Sequence, residues 1–338
     1  MVVLAVVAAA FVLVLPGYAR AQQGKVIELT YGTPYGPDHT FSKSDKRWFA
    51  KIEKETNGRV KFKPYWGGSV ISGGAEAIDE MVAGVADVGF ISPGQARSGY
   101  DLTKINFLLF TGANVNNGYR IFMQVLKDNP EIEKEYKGLK VMGWSSGTEY
   151  QLFTRKPVRR LSDAKGMRFK TLGEIVAVLK DLGIEGVNTP ASEFYLSLQK
   201  GQLDGGFFPI SPLMTLRYSE VAKYVTLLHL YRPHTGSRVM CLKTWNKLPP
   251  DIQKVFENNV GWFSVESAKD CMKDDDDARE FGKKAGVEFI DLPKEDMTRF
   301  YDLVRQEGAK QAKLVDAKGL PGTKILNDAQ RLRKASQK

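Results

Sequence analysis

The apolar positions of this chain change twice from the two-residue period of a strand to the 3.6-residue period of a helix, in the same order each time. In the first pass Val26–Tyr31 is a β-rich run that ends in the turn Gly32-Thr33-Pro34. Residues 42–56 set Phe49 and Ile52 at helical spacing, and Asn57-Gly58 closes that helix. Arg59–Tyr65 alternates as a strand, Ala75–Ala83 forms a short helix, and Ala86–Ile91 forms the next strand. In the second pass Gly166–Lys170 is a strand. Ile175, Val178, Leu179 and Leu182 then stand at i, i+3, i+4 and i+7 of a helix that Gly183 ends. Ile184–Asn188 follows as a strand, and Thr189-Pro190 supplies an N-cap and a proline at the first helical position. That helix reaches Gln199-Lys200, Gly201 caps it, and Leu203–Phe208 is the third strand. Each pass is βαβαβ, which predicts a largely parallel sheet with helical crossovers.

The two passes end in nearly the same phrase: Ala83-Gly84-Val85-Ala86-Asp87-Val88-Gly89-Phe90 echoes Lys200-Gly201-Gln202-Leu203-Asp204-Gly205-Gly206-Phe207. Two copies of one unit predict two similar lobes enclosing a cleft. Open sheets of this kind bind ligands beyond the carboxyl ends of their strands, which nominates residues 32–39, 66–68, 91–94, 171–173, 189–191 and 207–211. Leu139–Trp144 and Ser237–Lys243 read as strands crossing between the lobes. From Pro250 to about Phe281 a helical pattern runs without an internal proline. At 1.5 Å per residue it is about 50 Å long, more than one lobe needs, so it is expected to span both. Helices near 293–318 and 324–334 complete the chain. The expected organisation is residues 22–144 in lobe one with a strand returning near 237–249, residues 145–236 in lobe two, and 250–338 packing on both.

A length of 338 residues agrees with this division, because a single hydrophobic core rarely grows beyond about 250–300 residues. Residues 1–21 stand apart. Val2–Leu15 is an apolar run, Pro16-Gly17 breaks it, and Ala19-Arg20-Ala21 has the form of a signal-peptidase site, so export with cleavage after Ala21 is expected. The run is shorter than the ~20 apolar residues of a membrane span. Cys241 and Cys271 are the only cysteines. They do not make a disulfide scaffold, and two buried thiols are the default, with pairing left open. The net charge of +10 is scattered, without the basic–aromatic blocks of nucleic-acid binders, and favours anionic ligands at most.

Candidate chemistry is sparse. Gly143-Trp144-Ser145-Ser146-Gly147 fits the G-x-S-x-G pattern of hydrolases and makes Ser145 the nucleophile of an alternative, enzymatic reading. That motif needs a helix directly after the serine, and the residues after Gly147 read as extended. Asp274–Asp277 lies within a helical pattern and reads as a solvated face rather than a calcium loop, whose ligands alternate around a glycine turn. His39 and His234 lack metal-ligand spacing, and no cofactor motif is present.

Several segments, in order, carry a resemblance. They are Glu55-Thr56-Asn57-Gly58-Arg59-Val60, Val82-Ala83-Gly84 with Asp87, Leu161-Ser162-Asp163-Ala164-Lys165-Gly166-Met167-Arg168, Glu193-Phe194-Tyr195 through Leu198-Gln199-Lys200-Gly201 to Asp204-Gly205, and Lys247-Leu248-Pro249-Pro250-Asp251-Ile252-Gln253. Over nearly the whole chain after residue 21 the sequence resembles the solute-binding proteins of tripartite ATP-independent periplasmic (TRAP) transporters, typified by C4-dicarboxylate and sialic acid binders. The resemblance implies a two-lobed α/β periplasmic-binding fold with a long helix across both lobes. It also implies a receptor without catalysis that closes on a carboxylate and delivers it to membrane permease subunits. A monomer in the periplasm is expected, with neither cofactor nor nucleic acid. A ligand-sensing partner of a signalling receptor would share the fold.

The resemblance assigns the ligand carboxylate to Arg168, whose planar fork of donors suits a bidentate pair. The chain departs from the familiar pattern elsewhere. Glu149 stands where sialic acid binders carry a second arginine, and Phe207-Phe208-Pro209 replaces Glu-Asn-Pro. With Tyr35, Trp66, Phe90, Ser92, Phe207 and Phe208 near the nominated strand ends, and His234 as a candidate donor, the expected ligand is an organic acid with an aromatic or apolar body.

Overall fold

The computed structural model describes residues 25–105, 115–171, 173–187, 189 and 191–336. The expected signal segment, and Asn188 and Pro190 of the second pass, lie outside the described residues. Lobe one opens with β1 (Ile27–Gly32), α1 (Thr40–Glu55), β2 (Val60–Tyr65), α2 (Glu76–Ala83) and β3 (Val88–Ile91). Two helices, α3 (Asp101–Ile105) and α4 (Val115–Asp128), lead to β4 (Leu139–Ser145). The chain then enters lobe two: β5 (Glu149–Thr154), β6 (Arg168–Lys170), α5 (Val176–Asp181), β7 (Glu185–Val187), α6 (Ala191–Gln199), β8 (Gly205–Phe208), α7 (Pro212–Thr215) and β9 (Tyr224–Tyr231). It returns as β10 (Gly236–Cys241) and α8 (Leu242–Trp245). It closes with α9 (Pro250–Lys284), β11 (Glu288–Asp291), α10 (Lys294–Asp316) and α11 (Gly322–Ser336).

Strand order is β2-β1-β3-β10-β4 in the first sheet and β11-β9-β5-β8-β6-β7 in the second. The βαβαβ halves pair in parallel, while β10 joins β3 and β4, and β5 joins β8 and β9, antiparallel. Both sheets are covered on both faces, so neighbours on one strand enter different cores. Val141 and Val239 pack in one core of lobe one, while Met142 and Met240 pack in the other. This accounts for strands that read as apolar runs rather than as alternation.

The repeated phrase has a structural cause. Gly84 and Gly201 take the left-handed conformation (φ +84° and +73°) that ends α2 and α6, where a Cβ would be strained. Each following aspartate pins the adjacent strand. Asp87 accepts from the Thr30 amide at 2.9 Å and Asp204 from the Arg168 amide at 2.9 Å. The echo is one fastening used twice.

Three connections join the lobes besides α10. The crossings 146–148 and 232–235 bind each other through Thr235 N–H to Ser145 O (3.1 Å) and Arg232 N–H to Thr148 O (3.2 Å). Helix α9 places Ile252, Phe256 and Phe263 in a lobe-one core and Ala278 in a lobe-two core. Helix α10 is a second strut: Phe300 and Val304 belong to a lobe-two core, Ala312 and Val315 to a lobe-one core. Cys241 and Cys271 are buried free thiols.

Candidate ligand-binding cleft

Register locates the mouth of each sheet. In lobe one Ile91, the last residue of β3, lies opposite Ser237 at the start of β10. In lobe two Phe208, the last residue of β8, lies opposite Gln151 near the start of β5. The parallel strands of both lobes therefore point their carboxyl ends at the crossings, and the candidate site lies between those ends.

On the lobe-one side Tyr35 stacks on His39 with centroids 4.1 Å apart, and meets Phe41 (5.3 Å) and Phe90 (5.1 Å) edge-on. Burial, moderated by Arg238, pushes the Tyr35 hydroxyl up to about 12, so it is a neutral donor at physiological pH. Behind this wall lies Arg238 of β10, fully buried with Asp45 of α1. Its Nε donates to Asp45 Oδ1 at 2.7 Å and Nη2 to Oδ2 at 3.1 Å. Nη1 donates to Ser145, and the Tyr31 hydroxyl donates to Asp45 at 2.5 Å. Burial pushes the Asp45 carboxyl up, and Arg238 and Tyr31 hold it back. The guanidinium lies 4.9 Å from the Phe90 ring centre, 5.5 Å from Phe41 and 5.0 Å from Phe263, so it stiffens the wall from within. Ser145 is committed here as a fully buried acceptor, not as a nucleophile.

On the lobe-two side Lys170, the last residue of β6, holds its ammonium 5.1 Å from the Phe208 ring centre. Phe208 is buried against Phe194 (4.5 Å), Tyr218 (5.0 Å) and Phe153 (5.8 Å), a platform beneath the lysine. At the crossing Arg232 lies 5.7 Å from the Tyr150 ring centre, and Glu149 is bonded to His229 Nδ1 at 2.6 Å. That bond, against the cost of burial, raises the His229 pKa.

Several of the expected site residues stand apart from these positions or are engaged by other partners. Arg168 begins β6 opposite Glu185, the first residue of β7, two residues or roughly 7 Å further from the mouth than Lys170. Its half-exposed side chain reaches Glu185 (3.3 Å) and the Gln202 carbonyl (3.1 Å), away from the cleft. Phe207 and Phe208 do not form one wall: they alternate into opposite cores of lobe two. Trp66 packs on Tyr31 and Phe49 at the margin of a lobe-one core. His234 is fully buried between Phe122 and Trp144 and bonded to the Ser237 hydroxyl at 3.0 Å, so it cannot reach a ligand. Ser92 bonds the Thr235 carbonyl at 3.3 Å, which ties the end of β3 to a crossing. Of the expected residues, Tyr35 and Phe90 come together, Phe208 lies beneath Lys170, and Glu149 stands at the crossing. Lys170 and Arg232 also stand at the candidate site and were not expected. The carboxyl-end rule, applied residue by residue along β6, points to Lys170.

Residues 31–313 match the family described as bacterial extracellular solute-binding protein, family 7. The chain belongs to this family. It is a solute-binding protein of transport, not an enzyme. A solute-binding protein of Albidiferax ferrireducens is 27% identical over 278 residues, 78% of this chain and 79% of its own length. Among solved structures, a TRAP periplasmic solute-binding protein from Desulfovibrio salexigens superimposes with a TM-score of 0.81 at 25% identity, over 91% of this chain and 95% of its own. A TRAP protein from Bordetella bronchiseptica, solved with (R)- and (S)-mandelate, gives 0.80 at 20% identity, over 91% and 99%.

Proposed function

We propose that this chain is the exported receptor of a TRAP transporter and takes up an organic acid with an aromatic or apolar body. The observation that carries the reading is the pairing, at the mouths of the two sheets, of a lysine ammonium over an aromatic platform with an aromatic wall. Lys170 holds the carboxylate as a point charge, and Tyr35, backed by the buried Phe90, covers the body. The mandelate held by the Bordetella protein is a ligand of this chemistry. Closure follows from ligand contact with both lobes: moving a mostly open population to a mostly closed one takes about 5.5 kcal/mol of differential affinity. The closed receptor then docks on the permease in the periplasm.

A thermal-shift panel of mandelate, benzoate, succinate and glucuronate tests this. An aromatic monocarboxylate at about 100 times its dissociation constant stabilises the fold by about 2.7 kcal/mol. Stabilisation by succinate or glucuronate alone contradicts the aromatic assignment.

A further inference from the structure

Helix α9 carries the acidic run Asp274–Asp277, and its first two members do not face solvent together. Asp274 is buried against lobe one, where it accepts from the Thr40 hydroxyl at 2.5 Å and pairs with Lys43 at 3.3 Å at the start of α1. Asp275, the next residue, turns to lobe two. Its Oδ1 accepts from the Ser211 amide at 2.9 Å, and Thr148 and Ile210 lie beside this carboxylate. Residues 209–211 are the turn after β8, at the mouth of lobe two, and Thr148 lies on a crossing. Two neighbouring carboxylates on one rigid strut thus grip opposite lobes. The ion pair Arg47–Asp270 (2.5 Å), one turn earlier, reinforces the lobe-one grip.

We propose that Asp275 is a positioning residue for ligand capture: it fixes the turn after β8 and the crossing 146–148 against α9, while Asp274 fixes α1, so that the pair sets the angle at which the lobes meet. This rests on the reading that solute binds between the lobes. The residue acts through the turn it holds, without touching solute. The carboxylate form is the stronger acceptor for the Ser211 amide, so its protonation loosens the lobe-two grip. Burial pushes its carboxyl up to about 6, opposed by Thr148 and Ser211. Glu149 of β5, bonded to His229, is the titratable group facing it from the sheet and adds to the rise. Cys271 on the same helix also lies close.

The test uses the full chain as wild type, Asp275→Asn and Asp275→Ala. The first readout is the amide-exchange protection of Ser211 between pH 5 and 7.5, without ligand. Protection is expected to fall about ten-fold in Asp275→Ala and less in Asp275→Asn, which keeps an acceptor. In wild type it falls below pH 6, and in both variants it is flat. Protection that is unchanged in Asp275→Ala overturns the proposal. The second readout is mandelate and benzoate titration at pH 7.5 and 5. Affinity is expected to be about ten-fold weaker in Asp275→Ala, with wild type losing affinity at the lower pH and Asp275→Asn insensitive to it. Wild-type affinity in Asp275→Ala overturns the positioning role. If wild type binds neither acid, the aromatic reading fails, and the exchange readout still decides whether Asp275 holds the turn.

Discussion

At the scale of single residues, the protein separates charge that binds from charge that builds. Arg238 and Asp45 are removed from water completely, a cost of several kcal/mol per ion that their mutual bonds offset, with help from Tyr31 and Ser145. Removing one partner leaves the other buried and unpaired. Asp45→Ala is therefore expected to destabilise by about 3–5 kcal/mol in urea denaturation, and a loss under about 1 kcal/mol would contradict the account. His234 makes a second test. Burial lowers its pKa to about 3, with Arg232 assisting. The fold holds the imidazole neutral, so the associated stability is fully present above the unfolded value near 6.5 and is lost as pH falls from there toward 3. The full span is on the order of 5 kcal/mol. His234→Phe is expected to flatten the pH dependence of stability across that window, and an unchanged profile would refute the assignment. Arg168 shows how a residue type misleads. An arginine after Asp163-Ala164-Lys165-Gly166 has the chemistry of an anchor, but strand register decides which end of the sheet it occupies, and two positions separate a fastening to Glu185 from the mouth.

At the scale of elements, the parallel halves were legible because each crossover is short, amphipathic and closed by a glycine in the left-handed region. Of the antiparallel strands, β4 and β10 were legible as apolar runs and β9 was not. Strand β9 is apolar on both faces and its partners are distant in sequence, so nothing local announces it. It also carries an irregularity: His229 has φ +46°, and the side-chain oxygen of Gln151 accepts from the amides of Leu228 (2.7 Å) and His229 (3.0 Å), replacing ladder partners. The acidic run was misread for a related reason. Helical periodicity shows a polar stripe, but not that a second lobe lies against half of it. The crossings are where elements meet most closely. A Cβ on Gly147 would lie 2.4 Å from the backbone oxygen of Arg232, which has no flexible end to move. Gly147→Ala is expected to cost about 1–3 kcal/mol in urea denaturation, because the two crossings must separate. An unchanged midpoint would show that they already do.

At the scale of the whole molecule, two packed struts and two bonded crossings join the lobes, with the mouths of both sheets facing the gap. The long α9 was legible from periodicity alone. The role of α10 was not, because its two halves enter different cores and only the assembled lobes reveal that. On the proposed reading, solute identity is set on the same scale, by what the two mouths present together: a lysine on one side and an aromatic wall on the other. Calorimetric titration of mandelate and benzoate into wild type, Lys170→Met and Arg168→Ala tests that claim most directly. The account predicts that Lys170→Met loses at least ten-fold in affinity, the cost of an unpaired carboxylate, while Arg168→Ala stays within about two-fold of wild type. Tight binding by Lys170→Met with loss in Arg168→Ala would contradict it.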